Sequence, residues 1–182
     1  LSPRDVVRLI RGKIGSETKL TLQREGRPDN FIVSIKRALI VPSTVTQSID
    51  KEILSIKISG FNQDTAGSLS RYLRDIKTTH PKLQGAIIDL RGNPGGLLDQ
   101  AVSVSDLFLE SGHIVSTRGR HPDSMQLFDA EKGDLLQNLP LVILIDGTSA
   151  SAAEIVAAAL QDHGRAVLYG TRGFGKCTVQ PV

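Results

Sequence analysis

Two serines and one lysine are the residues most able to do chemistry in this chain. Ser149 stands in the turn Gly147-Thr148-Ser149-Ala150 and Ser151 directly after it, between an apolar run and a run rich in alanine, and Lys176 lies twenty-five positions beyond Ser151. A serine hydroxyl becomes a useful nucleophile only beside a base, and a lysine amine can be that base when it is neutral. If Ser151 and Lys176 meet in space, acyl transfer needs no histidine.

Ser151 also has a plain structural explanation. Ser151-Ala152-Ala153-Glu154 is an S-x-x-E capping box, with the serine as N-cap and Glu154 three residues on. Position favours the chemical reading, because the turn would sit at the carboxyl edge of a sheet and at the positive end of a helix.

The histidines serve poorly as partners. His163 would lie at the far end of the helix begun by Ser151, about 18 Å away at 1.5 Å per residue. His80, His113 and His121 fall at a helix end, a strand start and a loop tip.

For Lys176 to lose its proton near neutral pH it needs burial or a cationic neighbour. Gly173, Phe174 and Gly175 let backbone come close, and Phe174 can exclude water. In a strand continuing from Lys176, the residues Lys176, Thr178 and Gln180 share one face, so Gln180 can orient the amine. The glycines of Arg91-Gly92-Asn93-Pro94-Gly95-Gly96 can offer free N–H groups to a developing oxyanion, with the amide of Ala152 as a second donor.

The elements that must hold these groups follow from periodicity. Leu141 to Asp146 and Gly85 to Leu90 are continuous apolar runs expected of buried parallel strands. Ile53 to Ser59 and His113 to Gly119 also read as strands, with a short one at Met125 to Ala130 and another at Ala166 to Tyr169. Ala66, Leu69, Leu73 and Ile76 fall at helical spacing within Asn62 to Thr79, and further helices span Leu97 to about Glu110 and Ala152 to Gln161. Strands alternating with helices in this way predict an α/β layer fold with largely parallel pairing. Upstream, Ser2-Pro3 caps a short helix stopped by Gly12, and Lys19 to Glu25 with Phe31 to Arg37 forms a hairpin. Residues 41–52 read as a connector, so the chain divides into 1–40, 41–52 and 53–182.

Composition narrows the function classes. With 182 residues, 40% hydrophobic and 23% charged, the chain can bury a substantial core. Its net charge of +3 is scattered without a run of like charges, which argues against nucleic-acid binding. A single cysteine, Cys177, precludes an intrachain disulfide. The sequence holds no eighteen-residue apolar stretch and no basic-then-apolar leader, though a chain starting without methionine leaves room for a leader upstream.

Gly170 to Cys177 nearly fits the P-loop pattern G-x-x-x-x-G-K-[ST]. A cysteine occupies the hydroxyl position, and Thr178-Val179-Gln180-Pro181-Val182 is no phosphate-binding helix, so a nucleotide binder is rejected. A non-catalytic peptide-binding or scaffold protein is the other alternative.

Three blocks in order, DLRGNPGGLLDQAV, SASAAEIVAAALQDHGRA and GFGKCTVQ, resemble the carboxyl-terminal processing (tail-specific) proteases of the S41 serine peptidase family. The resemblance runs from Ile53 to Gln180. It implies a layered core with a mostly parallel sheet of ClpP/crotonase-like layout and an ATP-independent Ser-Lys endopeptidase without cofactor or metal. Ser151 would be its nucleophile, Lys176 the base, and Gln180 the group orienting the lysine. The oxyanion donors would be Gly95 or Gly96 with Ala152, and Asp162 would be structural. The first forty residues resemble the second part of a PDZ domain. Also implied are protein or peptide substrates with accessible C-termini, including membrane-proximal ones, an extracytoplasmic and in particular periplasmic location, and room for a homo-oligomer. Where the family usually has Gly-Lys-Gly this chain has Gly175-Lys176-Cys177, and strand alternation predicts that Cys177 points away from the serine and is buried.

Overall fold

A computed structural model describes residues 2–121, 124–131 and 133–178, with the Lys77 side chain left aside. The chain forms two compact units that divide between Val41 and Pro42.

The first unit holds helix α1 (Pro3–Ile10) and the antiparallel hairpin of β1 (Glu17–Leu22) and β2 (Phe31–Lys36). Ser2 caps α1 through a reciprocal capping box with Asp5, and Pro3 opens the helix where its missing N–H costs nothing. Arg37 closes the other end: its guanidinium donates to the carbonyls of Ile10 at 2.7 Å and Glu17 at 2.9 Å. No described residue of this unit is fully buried.

The second unit is built on a five-stranded sheet of order β3-β4-β5-β8-β9. Its strands are β3 (Val45–Asp50), β4 (Ile53–Ile58), β5 (Gly85–Asp89), β8 (Leu141–Ile145) and β9 (Val167–Gly170). The last four run parallel, and only β3 pairs antiparallel, at an edge. Helices α2 (Thr65–Thr79), α3 (Leu98–Asp106) and α4 (Ala152–Asp162) supply the crossovers that parallel pairing requires. A separate antiparallel pair, β6 (Gly112–Thr117) and β7 (Gln126–Ala130), packs against α3 and α4.

The core follows the sequence pattern. Ala66, Leu69, Leu73 and Ile76 form the buried stripe of α2, and Leu54, Ile56, Ile88 and Ile143 fill the centre of the sheet. In α4, Ala152, Ala153, Val156, Ala157 and Leu160 are buried, so small side chains let this helix lie close on its neighbours. Among the described residues no helix is long and apolar enough to cross a membrane.

Two expectations need correction here. Residues 45–50, read as part of a connector, form the edge strand β3; the polar Gln47 breaks the alternation, but register with β4 supplies the backbone pairing. Residues 176–178, expected to open a terminal strand running on to Gln180, have no strand pairing; the N–H groups of Gly175 and Lys176 donate instead to Glu154 in the first turn of α4, and the rest of the expected strand lies outside the described residues.

Candidate active site

Because β5 and β8 are parallel neighbours, the loops after their carboxyl ends emerge side by side. Backbone and side-chain bonds join them. Ala150 N–H donates to the Asn93 carbonyl at 3.0 Å, and Gly92 N–H donates to Asp146 Oδ1 at 3.3 Å. Asn93 is fully buried and ties in a third loop end: its Nδ2 donates to the Ile58 carbonyl at 2.8 Å while its Oδ1 accepts Gly95 N–H at 2.8 Å. A buried amide with both ends paired is a rigid strut.

The structure separates the two serines. Ser149 is 1% exposed, and its hydroxyl donates to the Leu90 carbonyl at 2.9 Å while accepting Asp146 N–H at 2.9 Å. It is occupied as a brace between loops. Ser151 instead lines a cavity of about 720 Å³.

Ser151 also has an unusual backbone, with φ 54° and ψ −115°. A non-glycine residue in such a conformation carries strain that surrounding contacts must hold, and strain of this kind concentrates at functional turns between a strand and a helix. The contacts are close on one side: a Cβ added to Gly95 would lie 2.8 Å from the Ala150 carbonyl oxygen and 2.9 Å from Ser151 Cβ. Gly95 has φ +100°, so glycine is demanded there both by conformation and by space.

Ser151 begins α4 as its N-cap, as the capping-box pattern suggests, and its N–H donates to Glu154 Oε2 at 2.8 Å. The same carboxylate reaches further than a cap. Gly175 N–H donates to Glu154 Oε1 at 2.6 Å and Lys176 N–H to Glu154 Oε2 at 2.9 Å. Phe174 N–H adds a bond to the Ser149 carbonyl at 2.9 Å. The segment bearing Lys176 is thus fastened to the turn bearing Ser151, and both side chains line the same cavity.

Lys176 is exposed, and Phe174, expected to shield it, is 68% exposed. Cys177 corrects a second expectation: it is exposed and lines the cavity with Ser151, because residues 172–178 do not follow strand alternation. Gln180 lies outside the described residues.

Of the expected oxyanion donors, Gly95 has its N–H committed to Asn93. Gly96 sits beside Phe61 in an isolated parallel bridge, and Ala152 is the first residue of α4, where helix geometry supplies no intrahelical acceptor for its N–H.

The cavity runs along one face of α4, past Ser151, Ile155, Ala158 and Asp162. That span of eleven residues is about 16 Å, the length of roughly five residues of extended peptide. Ile114 to Gly119, six consecutive residues in and after β6, form a wall. Asp162 therefore reaches the same cavity at its far end, although helical rise keeps it away from Ser151.

The carboxylates at the strand ends belong to loop structure. Thr148, by its hydroxyl and its N–H, together with Gly92 and Ser149, lowers Asp146 to about 2. The bidentate guanidinium of Arg91, at 2.9 Å from both Asp89 oxygens, holds Asp89 below the usual range, with Lys57 adding at 3.6 Å. His113 pairs with Asp129 at 2.9 Å, and His163 Nε2 bonds the His113 carbonyl at 2.8 Å, which keeps both histidines at the end of α4 remote from Ser151. The Asp129 partner was hidden from spacing because it comes across the β6–β7 register.

The chain is similar to known proteins in both sequence and fold. The family model described as peptidase family S41 matches residues 52–182. A carboxy-terminal-processing protease of Bartonella bacilliformis is 44% identical over 180 residues, covering 98% of this chain and 42% of that protein. The carboxy-terminal processing protease CtpA of Bacillus subtilis is 40% identical over 177 residues, covering 97% and 37%. The chain thus spans about two fifths of the length of these relatives. Among solved structures, a photosystem II D1 C-terminal processing protease superposes with a TM-score of 0.66 at 24% identity, over 97% of this chain and 49% of that one, which shows the shared fold.

Proposed function

The chain belongs to peptidase family S41, and from that premise we propose that it carries the Ser-Lys centre of an ATP-independent serine endopeptidase that cuts protein substrates near their carboxyl termini. The observation that carries the reading is that Ser151, on a strained turn at a helix N-terminus, and Lys176 line one cavity long enough for a peptide.

In this mechanism Ser151 attacks the scissile carbonyl while Lys176 takes the hydroxyl proton and then returns it to the leaving amine. Water, activated by the same amine, releases the acyl group. The oxyanion is met by the N–H of Ala152 and that of Gly96, since Gly95 is engaged by Asn93. A peptide lying in the cavity covers the Lys176 amine and so supplies the desolvation that a neutral lysine requires. Gln180 orients that amine. Residues 1–40 act as the second part of a PDZ module, and the setting is extracytoplasmic, as the resemblance of the three sequence blocks to the family implies.

A fluorophosphonate probe tests the nucleophile. It is expected to label the full-length protein at Ser151, with labelling lost in Ser151→Ala and unaffected by ATP. Equal labelling of Ser151→Ala would remove Ser151 from the role, and absence of labelling in the wild type would favour a non-catalytic binding protein.

A further inference from the structure

We infer that Glu154 is a positioning residue that sets the nucleophile and the base in register, an inference that rests on the Ser-Lys reading above. A cap needs from this side chain only one acceptor, for the N–H of Ser151. The structure uses both oxygens. Oε2 accepts Ser151 N–H at 2.8 Å and Lys176 N–H at 2.9 Å, and Oε1 accepts Gly175 N–H at 2.6 Å.

These three donors come from two segments that neither helix nor sheet connects. Residues 172–178 are in no regular element, so their place relative to α4 is set by such bonds. The local sequence makes room for the carboxylate: a Cβ on Gly173 would lie 2.9 Å from Glu154 Oε1, so a larger residue would displace either the carboxylate or the segment. Glu154 is also half-buried and short of rotational freedom at the third position of α4, which makes it a better reference point than a surface side chain.

Charge matters as well as shape. Three N–H donors converge on one carboxylate, and in Glu154→Gln an NH2 group replaces one of its two acceptor oxygens, so the variant keeps the cap through its amide oxygen but turns a donor toward Gly175 N–H and weakens the hold on the Lys176 segment. Displacing a catalytic group by about 1 Å costs on the order of a hundredfold in rate. Glu154→Gln and Glu154→Ala are therefore expected to lower kcat by about a hundredfold each, with KM within about twofold of wild type, because the apolar floor of the cavity is untouched.

The test combines kinetics on an unstructured reporter peptide with hydrogen exchange, both on the full-length protein. Exchange is expected to quicken about tenfold at Gly175, whose charge-assisted bond to Glu154 Oε1 is lost in Glu154→Gln, and to quicken at Lys176 as its acceptor loses the carboxylate charge, while the melting temperature stays near that of wild type. Wild-type kcat in Glu154→Gln with a fall only in Glu154→Ala would reduce Glu154 to a cap and overturn the inference. Unchanged exchange across 173–177 would overturn it as well. A wild-type protein that cleaves nothing would instead contradict the peptidase reading, and the exchange arm would still decide whether the three-way clamp exists.

Discussion

At the scale of single residues, Ser151 carries a conflict between stability and function. Its φ of 54° with ψ of −115° is a conformation that glycine adopts readily and other residues adopt at a cost of about 1–3 kcal/mol. Ser151→Gly should relieve that strain, offset in part by the larger freedom of glycine in the unfolded chain. The expected outcome is a melting temperature raised by about 2–4 °C, corresponding to about 1 kcal/mol in a chain of this size, together with loss of fluorophosphonate labelling. A lowered melting temperature would mean that Ser151 is in place for packing. The sequence distinguished Ser151 from Ser149 through the resemblance of the SASAAE block, whose second serine it is, while S-x-x-E gave the same residue a capping role. What separates the two in the structure is burial: Ser149 is consumed by Leu90 and Asp146, partners fifty-nine and three positions away. Glu154 shows the opposite limit. Its capping role could be read from S-x-x-E, but its bonds to Gly175 and Lys176 span twenty-one and twenty-two positions and leave no periodic trace.

At the scale of elements, the buried strands and the amphipathic α2 were legible because apolar runs and 3.6-residue spacing report burial directly. β3 was not, since an edge strand is specified by its partner more than by its own pattern. The stretch from Lys176 misled for a related reason: β-branched residues after Lys176 suggest a strand, yet residues 176–178 are unpaired and the N–H groups of Phe174, Gly175 and Lys176 bond to Ser149 and Glu154 around the start of α4. Cys177 went astray with it, being exposed in the cavity instead of buried behind a strand. The loops after β5 and β8 make a pH prediction. Asp146 is held at about 2 by Thr148, Gly92 and Ser149, below the value of about 3.9 expected in an unfolded chain. A depressed carboxylate stabilises the fold fully above the unfolded value and loses that contribution as pH falls through the folded one. Melting temperature followed from pH 5 downward should therefore drop between about pH 4 and pH 2 in the wild type. Asp146→Asn should flatten that part of the curve, and an identical slope in the variant would mean that the link from Asp146 to Gly92 and Thr148 contributes nothing.

For the whole molecule, the parallel order β4-β5-β8-β9 explains why the candidate residues gather where they do: the carboxyl ends of three adjacent strands are joined by Asn93, and α4 begins at that edge with Ser151 as its N-cap. The cavity then follows α4 away from Ser151 with Ile155 and Ala158 on its floor and Asp162 at its end, which suits an extended chain better than a compact ligand. Its existence was not readable from sequence, because β6 and α4 are brought together only by the tertiary fold. The central claim is that Ser151 and Lys176 act together on a peptide bond, and the most direct measurement is the rate at which full-length wild type, Ser151→Ala and Lys176→Ala digest one unstructured peptide. The account predicts cleavage by the wild type without ATP and a fall of at least about a thousandfold in each variant. Cleavage at equal rates by all three would contradict it.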